Sequence, residues 1–324
     1  MTHVVGVHDY GAPDVLRWEE AEIGDPGPGQ IRIKQTAVGL NFIDAYMRSG
    51  LYPQDELPFI PGTEGAGVVT ALGEGVRDLK IGRRVAYAGH MGAYSQERLI
   101  AADRVVRIPK AVSDETAAAA MLKGLTAQYL LRQIYKVGPG TTLLFHAAAG
   151  GVGMIACQWA AALGATVIGT AGSAGKALIA RSHGCKHVIN YLEEDFVAKV
   201  KAYTGGEGVD VVYDSVGKDT FPGSLDCLKR RGMWVSFGQS SGPCPEFRIN
   251  LLAQKGSLFA IRPMLWDYIA TRKELVSTAN DLFALLAKGK VKISVNQTYA
   301  LRDAAQAHRD LEGRRTTGSS VLIP

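Results

Sequence analysis

From Thr141 onward, short runs of β-branched and apolar residues alternate with longer segments in which apolar residues recur at helical spacing. Five of the short runs are predicted to be strands: 142–146, 165–170, 187–190, 210–214 and 233–237. Strands that alternate with helices in this way form a parallel sheet with helices on both faces. The pattern therefore predicts an α/β domain built on a doubly wound parallel sheet.

The first half of the chain has a different pattern, in which glycines and prolines separate short strands such as 30–38 and 65–72. This pattern predicts a compact β-barrel. Ser113 then precedes two acidic residues and an alanine-rich run. A hydroxyl that caps free N–H groups, followed by acids near the positive end of the dipole, is typical of a helix N-terminus. We expect this helix to lead into the second domain.

The C-terminal part of the chain predicts a helix at about 266–288, followed by strand-like runs and one more helix in 291–324. We expect this tail to return to the first domain. A length of 324 residues suits two domains. The predicted boundaries are 1–123 for the barrel, 124–264 for the α/β domain and 265–324 for the returning segment.

Composition narrows the class of protein. Hydrophobic residues make up 47% and charged residues 21% of the chain, a balance that excludes a disordered protein. The sequence shows neither a secretion signal nor an apolar stretch of membrane-spanning length, so we expect no membrane partner. The four cysteines have no CxxC spacing and are expected to be reduced thiols. These features predict a cytoplasmic protein.

The net charge of +5 suits a nucleic acid or a polyanionic cofactor equally well. The densest basic run, 229–231, directly precedes Gly232. We interpret this run as the end of a helix, where cations meet the negative end of the dipole, in preference to a nucleic-acid contact.

A glycine-rich turn follows the first predicted strand of the α/β domain. The sequence Ala-Ala-Ala-Gly-Gly-Val-Gly occupies 147–153, and an apolar helix is predicted at 154–163. Small residues at Gly150, Gly151 and Val152 let the backbone approach a pyrophosphate, which the N–H groups and the positive end of the helix then bind. Gly153 allows the helix to pack closely on the strand. The context predicts a dinucleotide site.

The second strand of the α/β domain predicts which dinucleotide is bound. Folds that prefer NAD place an acid near its end, about 20 residues after the turn, to bind the ribose hydroxyls. Here Gly-Ser-Ala-Gly-Lys stands at 172–176. A 2′-phosphate is attracted by Lys176 and would be repelled by an acid, so we predict NADPH, with Ser173 and Lys176 as the discriminating contacts. The alternative is that Lys176 is a solvated residue of the next helix.

Several motifs together resemble one known family, the zinc-free quinone oxidoreductases of the medium-chain dehydrogenase/reductase superfamily, which are related to zeta-crystallin. The resemblance covers nearly the whole chain. Its motifs are Asn-Phe-Ile-Asp-Ala-Tyr at 41–46, Pro-Gly-Thr-Glu-Gly at 61–65, Lys-Gly-Leu-Thr at 123–126, the stretch 144–158, Gly-Val-Asp-Val-Val-Tyr-Asp at 208–214 and Gly-Ser-Ser at 318–320.

The resemblance implies a GroES-like β-barrel substrate domain, completed by the C-terminal tail, beside a Rossmann dinucleotide-binding domain. It also implies a set of cofactor contacts. These are Phe42, Ile43, Asp44, Ala45, Tyr46, Tyr129, Gly151, Val152, Gly172, Ser173, Ala174, Gly175, Lys176, Tyr191, Ser215, Phe237, Gly238, Gln239, Ser240, Arg262, Pro263 and Met264. Tyr191 would join Lys176 near the 2′-phosphate.

Zinc-dependent relatives carry a cysteine in the early motif and a Gly-His-Glu motif. In this chain Thr63 stands where those relatives have the histidine, and no cysteine precedes Cys157. Without thiolate or imidazole ligands at these places we predict no metal site. Zinc acidifies an alcohol for oxidation, whereas a quinone or enone is already electrophilic, so the resemblance implies NADPH-dependent reduction.

Such a reduction requires the protein to hold the nicotinamide against a flat acceptor and to donate a hydrogen bond to its developing oxyanion. Asn41 and Tyr46 are the candidate catalytic donors of the pocket, and Asp44 is expected to position its neighbours. An equal alternative is that Asn41 holds a turn and Tyr46 fills a domain interface. His146, beside the glycine-rich turn, is interpreted as structural.

Two further functions stay open. The first is an NADPH-dependent reductase of α,β-unsaturated aldehydes or ketones. The second is an RNA-binding or lens structural protein, which ranks lower because the sequence lacks an interleaved aromatic and basic stripe. The segment 256–261 is predicted to form an exposed sheet edge, and its pairing with a second copy predicts a homodimer.

Overall fold

The computed structural model describes all 324 residues and divides the chain into two compact units. The first unit comprises Met1–Leu125, Ile269–Ala287 and Ile293–Pro324. The second unit comprises Thr126–Tyr268 and Lys288–Lys292. The tail residues from Ile293 onward therefore belong to the first unit, whereas the assignment of a function to each domain stays a prediction.

The regular elements are numbered in chain order. The strands are β1 Thr2–Val7, β2 Leu16–Ala21, β3 Gln30–Leu40, β4 Glu64–Leu72, β5 Arg84–Ala88, β6 Glu97–Ala101, β7 Val106–Arg107, β8 Thr142–Phe145, β9 Thr166–Ala171, β10 His187–Asn190, β11 Val209–Asp214, β12 Leu228–Ser236, β13 Phe259–Ile261, β14 Val295–Ala300 and β15 Ser319–Ile323. The helices are α1 Phe42–Arg48, α2 Asp114–Gln128, α3 Gly151–Ala162, α4 Ala174–Ser182, α5 Phe196–Tyr203, α6 Gly223–Asp226, α7 Asn250–Gln254, α8 Leu265–Tyr268, α9 Arg272–Ala287 and α10 Ala304–Glu312. None of these helices combines the length and apolar character that crossing a membrane requires.

The sheet of the first unit has the order β14-β15-β3-β4-β5-β7. Strand β6 lies outside this order and pairs with residues 30–34 of β3. All its pairs are antiparallel except β14 with β15. Strand β3 alternates buried and accessible residues, so Ile31 and Ile33 enter the core, where they join Tyr87 and Tyr94. The register of β15 on β3 fixes the C-terminal tail to this unit.

The second unit contains a six-stranded, wholly parallel sheet of order β10-β9-β8-β11-β12-β13. This order, with helices between successive strands, is that of a doubly wound Rossmann sheet. The central strands β8 and β11 are buried almost throughout, as apolar runs without alternation predict. The five predicted strands are all present, and β10 has the predicted bounds.

The interpretation of the basic run 229–231 as a helix end was wrong. Helix α6 ends at Asp226, and the basic residues lie within β12. The register of β12 on β11 shifts after Leu228, so the run forms an irregular start to the strand, with Arg231 at a φ of 62°. Lys229 forms an ion pair with Asp210 on β11, so the cation is compensated by a carboxylate rather than by a helix dipole.

Two predicted helices have different starts. The segment predicted at 266–288 divides into α8 and α9, because Thr271 forms a capping box with Glu274 that begins α9. Helix α3 begins at Gly151 rather than at 154, so the second and third glycines of the motif form its first turn. The cap predicted at Ser113 is confirmed, because its Oγ accepts a hydrogen bond from Thr116 N at 3.1 Å.

Candidate functional site

The predicted cofactor residues of the second unit collect at one edge of its sheet. Each group follows the carboxyl end of a different parallel strand, and the carboxyl ends of all six strands meet at this edge. In open α/β sheets, ligands bind outside the carboxyl ends of the strands. The groups are Gly150 to Val152 after β8, Gly172 to Lys176 after β9, Tyr191 after β10, Ser215 after β11, Phe237 to Ser240 after β12, and Arg262 to Met264 after β13.

The glycine-rich turn after β8 has the geometry of a phosphate cradle. Gly150 is the N-cap of helix α3 and has no side chain to cap it. A Cβ added to Gly153 would lie 2.5 Å from Ala147 O, so only glycine allows the helix to pack against the turn. The uncapped helix N-terminus and the glycines beside it fit a bound diphosphate.

Backbone hydrogen bonds fix this turn to both neighbouring strands. His146 N donates to Tyr213 O of β11 at 3.0 Å, and Ala148 N donates to Thr170 O of β9 at 3.0 Å. Between them, Ala147 adopts a φ of 54°, which is unusual for a residue other than glycine. The cradle is therefore a fixed, slightly strained turn.

Strand β9 ends at Ala171, and the loop from there to Lys176 contains no carboxylate. Ser173 is the N-cap of α4, and its Oγ accepts from Lys176 N at 3.3 Å. Tyr191 lies against this loop, because a Cβ on Gly172 would approach the tyrosine oxygen to 2.6 Å. A helix N-terminus, a hydroxyl and an ammonium group on one short segment, with the phenol of Tyr191 against it, fit a second phosphate.

The structure also brings together the predicted residues after β11 and β12. Ser240 N donates to Ser215 O at 3.1 Å, and a Cβ on Gly238 would lie 2.8 Å from that same oxygen. Tyr129, in contrast, lies in the π-helical segment Tyr129–Ile134 rather than after a strand. Its ring stacks on Tyr268 with a centroid distance of 4.5 Å, and burial raises the pKa of its hydroxyl.

In the first unit, Asn41 begins α1, and its side chain is held by a buried ion pair. Asn41 Nδ2 donates to Glu64 Oε2 at 2.8 Å, and Lys123 Nζ donates to the same oxygen at 2.8 Å. The other oxygen of Glu64 accepts from Leu122 N at 2.7 Å. Both charged side chains are buried. Sequence reasoning missed these two residues as parts of the site, although both lie in the family motifs.

Asp44, the third residue of α1, is fully buried and hydrogen-bonded on several sides. Its carboxyl group accepts from Asn41 N at 2.9 Å, from Thr63 Oγ1 at 3.2 Å and from Tyr94 OH at 3.3 Å. Burial raises the pKa of Asp44 to about 7, although the hydrogen bond from Asn41 and the charge of Lys123 act to lower it. Asp44 therefore holds its neighbours from inside the unit, whereas Phe42, Ile43 and Tyr46 of α1 keep accessible surface.

Tyr46 belongs to a small aromatic cluster. Its ring lies 6.2 Å from that of Phe42 and 5.4 Å, edge-on, from that of Tyr52, measured between centroids. Tyr52 N also donates to Tyr46 O at 3.0 Å. An aromatic cluster with phenol groups can contact a flat apolar ligand and also offer hydrogen bonds. Tyr52 was not predicted, because nothing in its local sequence distinguishes it from a loop residue.

No three His, Cys, Asp or Glu side chains of the chain come together as a possible metal site. Thr63, which stands where zinc-dependent relatives have a histidine, is fully buried and donates to Asp44. The residue at the position of that zinc ligand is therefore part of a buried hydrogen-bond network.

Comparisons with known proteins agree with this geometry. Residues 27–110 match the family model of the alcohol dehydrogenase GroES-like domain, and residues 151–263 match that of the zinc-binding dehydrogenases. The chain is 54% identical over 320 residues to a quinone oxidoreductase of Salmonella typhimurium, with 98% of each chain covered. It is 48% identical over 325 residues to a 2-haloacrylate reductase of Burkholderia, again with 98% of each covered.

Among solved structures, the chain is similar to the Escherichia coli quinone oxidoreductase complexed with NADPH. The two share 52% sequence identity and a TM-score of 0.98, with 99% of this chain and 100% of that chain covered. The α/β architecture, with a Rossmann-like parallel sheet and a GroES-like domain, is thereby confirmed.

Proposed function

This chain belongs to the quinone oxidoreductases of the medium-chain dehydrogenase/reductase superfamily, and from that premise we propose that it transfers reducing equivalents from NADPH to quinones. The observation that carries the proposal is the carboxyl edge of the parallel sheet. There an uncapped helix N-terminus follows β8, and a loop with a lysine and no carboxylate follows β9. These two features suit the diphosphate and the 2′-phosphate of NADPH.

The residues of this edge would hold the cofactor by ordinary phosphate chemistry. The backbone around Gly150, Gly151 and Val152 would bind the diphosphate, and Ser173, Lys176 and Tyr191 would bind the 2′-phosphate. The other predicted contacts of this edge would hold the rest of the nucleotide. When bound, NADPH supplies the reducing equivalents; the protein supplies binding and orientation.

We propose that Asn41 and Tyr46 contact the acceptor. One N–H of the Asn41 amide is committed to Glu64 and its oxygen belongs to the capping box with Asp44, so the second N–H remains for a ligand. A fixed amide donor stabilises negative charge on an oxygen without the cost of reorganisation. Asn41→Ala and Tyr46→Phe test these roles, because a catalytic donor lowers kcat when it is removed. Wild-type turnover in both variants would show that neither side chain takes part.

A second candidate acceptor is an enone or a related activated alkene. The similarity to a 2-haloacrylate reductase favours it, because that protein shares nearly half of its residues with this chain. Both acceptors are electrophilic and conjugated, so one pocket can serve both. A panel of para-quinones, ortho-quinones and enals, followed by the loss of NADPH absorbance, ranks them by kcat/KM.

We also propose that the protein is a cytoplasmic homodimer. Strand β13 lies at the edge of its sheet, and its first residue, Phe259, is 55% exposed. An unpaired strand with an exposed aromatic residue favours pairing with a second copy. Light scattering should give twice the mass of one chain, and a monomer at working concentration would contradict the dimer. All four cysteines are free thiols, which is usual in the cytoplasm, and cell fractionation tests that location.

The decisive experiment combines calorimetry with a turnover assay. We expect the purified protein to bind NADPH more tightly than NADH and to oxidise NADPH only when a quinone is added. Folded protein that takes up neither nucleotide would contradict the proposed function.

A further inference from the structure

A buried chain of hydrogen bonds runs across the carboxyl edge of the sheet in the second unit. Ser224 Oγ lies 2.7 Å from Asp214 Oδ2 and 3.1 Å from His146 Nε2. On the other side of the imidazole, His146 Nδ1 lies 3.1 Å from Thr170 Oγ1. That hydroxyl oxygen in turn accepts from Ala147 N at 3.3 Å. The chain therefore joins the ends of β8, β9 and β11.

The direction of every hydrogen bond in this chain follows from its charged end. Asp214 accepts from Val216 N at 2.9 Å and from Trp234 Nε1 at 3.3 Å. Burial acts to raise the pKa of Asp214, but the nearby His146 and the hydrogen bonds from Ser224, Val216 and Thr220 outweigh it and hold the pKa below its ordinary value. An ionised carboxylate only accepts, so Ser224 must donate to it.

The remaining links then have one consistent arrangement. Since the Ser224 proton is used, its oxygen accepts from the Nε2–H group of His146. Burial lowers the pKa of His146 more than the nearby Asp214 raises it, which favours a neutral ring that carries this single proton. Its bare Nδ1 accepts from the Thr170 hydroxyl, and the Thr170 oxygen accepts from Ala147 N–H. Every proton in the chain has one acceptor, and the tautomer of His146 is fixed.

The last link reaches the strained residue of the phosphate cradle. The positive φ of Ala147 is unfavourable for a residue with a Cβ, and it persists only where neighbouring contacts enforce it. The hydrogen-bond chain also adjoins two other segments of the candidate site. Thr170 comes just before the loop that holds Ser173 and Lys176, and Asp214 comes just before Ser215.

We propose that His146 is a positioning residue for the nucleotide: its neutral imidazole locks the cradle turn and the two adjoining loops into the conformation that binds NADPH. The imidazole is buried, so it acts through Thr170 and Ala147. This inference rests on the proposed function, because it assumes that the cradle binds NADPH.

A merely structural role for His146 predicts different data. The ring is 1% exposed and packs edge-on against Phe196 with a centroid distance of 5.1 Å, so it also fills space in the core. Loss of core packing lowers the melting temperature and the active fraction, but it leaves the KM of correctly folded molecules unchanged. Loss of a locked cradle raises the Kd and KM for NADPH and spares the KM for the quinone.

The test uses His146→Phe, which keeps an aromatic ring and removes both polar links, and Thr170→Val, which keeps the shape and cuts the link to Ala147. We expect each to weaken NADPH binding about tenfold by calorimetry, the loss that corresponds to one buried hydrogen bond. The quinone KM, and kcat at saturating NADPH, should stay within about twofold. The double variant should bind NADPH no more weakly than the single variant with the lower affinity, because both substitutions interrupt the same hydrogen-bond chain.

Two further variants separate positioning from stability. His146→Gln should recover most of the affinity, because a neutral amide can donate to Ser224 and accept from Thr170. Thr204→Val is the matched control: it removes the hydrogen bonds of Thr204 Oγ1 to Val200 O at 2.8 Å and from Gly208 N at 2.9 Å, just before β11 begins. It should lower stability without changing the Kd for NADPH.

Wild-type affinity for NADPH in His146→Phe would overturn the proposal. If that variant does not fold, Thr170→Val decides, and an unchanged Kd there overturns it equally. A wild-type chain that binds no NADPH would contradict the proposed function itself, and that result is distinguishable because it appears before any substitution is made.

Discussion

The side-chain amide of Asn41 donates a 2.8 Å hydrogen bond to the buried carboxylate of Glu64. The same Glu64 oxygen accepts from Lys123 Nζ, so the candidate donor of the active site is oriented by an ion pair from two other elements. Glu64 begins β4 and Lys123 lies on α2. The orientation of Asn41 therefore depends on the packing of three separate segments of the first unit.

The ion pair leads to a prediction about stability. Glu64→Gln leaves the buried Lys123 ammonium without its ion-pair partner, and we expect it to lower the free energy of unfolding by about 3 kcal/mol. Glu64→Gln combined with Lys123→Met should recover most of this loss, because no buried charge remains. Denaturant unfolding measures both. Equal stability of the single and double variants would mean that the ammonium finds another partner.

Lys176 leads to a prediction about cofactor preference. Lys176→Ala should weaken NADPH binding at least tenfold and leave NADH binding nearly unchanged, because only NADPH carries the 2′-phosphate. Calorimetry with both nucleotides measures the ratio. Lys201→Ala is a matched control in the last turn of α5, outside every predicted contact, and should not change it. An unchanged preference in Lys176→Ala would assign that lysine to the solvated face of α4.

Gly153 leads to a prediction about the cradle. Gly153→Ala places a Cβ 2.5 Å from Ala147 O, a distance that real contacts do not allow, so the turn must shift. We expect loss of NADPH binding and a lower melting temperature. Gly138→Ala, also in the second unit, meets no atom within 4 Å and should be neutral or slightly stabilising. Normal NADPH binding by Gly153→Ala would show that the cradle tolerates a displaced helix.

Asp44 and His308 lead to a prediction about pH. Tyr94 OH bridges them, at 3.3 Å from Asp44 Oδ2 and 2.9 Å from His308 Nε2. Burial raises the pKa of Asp44 from 3.8 to about 7 and lowers the pKa of His308 from 6.5 to about 3. Charged groups nearby are Lys123 and Glu64 for Asp44, and Arg48 for His308.

These two shifts act on stability with opposite signs. Between the ordinary and the raised pKa of Asp44 the folded state binds the extra proton, so its contribution to stability falls as pH rises from about 4 to 7. For His308 the unfolded state binds the extra proton, so its contribution rises with pH between about 3 and 6.5. Each slope is at most about 1.4 kcal/mol per pH unit, and over the shared window the two cancel.

Single substitutions should therefore reveal each slope alone. Relative to the wild type, Asp44→Asn should lose stability as pH falls from 6.5 to 4, and His308→Gln should lose stability as pH rises from 4 to 7. Denaturant unfolding at several pH values measures the two difference curves. Parallel curves for wild type and both variants would mean that neither group titrates with a shifted pKa.

Much of the second unit could be predicted from the sequence. Apolar runs of strand length that alternate with helical patterns force a parallel sheet, and chain order then places every loop after a strand on the same edge. The turn at Gly150 and the loop at Ser173 follow from this pattern, whereas Tyr191, Ser215 and Phe237 were assigned to the cofactor by the family resemblance; all five lie at that edge. Local signals failed at 229–231, where basic residues before a glycine resemble a helix end but begin a strand, because pairing with β11 overrides the local pattern.

Only the tertiary structure decided which polar groups meet in the interior. Asp44 reaches His308 through Tyr94, and His308 comes from the C-terminal tail, 214 residues after Tyr94. His146 connects to Thr170 and Ser224, which are 24 and 78 residues away. A sequence pattern records which face of an element is apolar, whereas a buried hydrogen bond depends on where distant elements pack. The sequence alone therefore determined the sheet and the position of the cradle, and the tertiary structure determined what holds Asn41 and Ala147 in place.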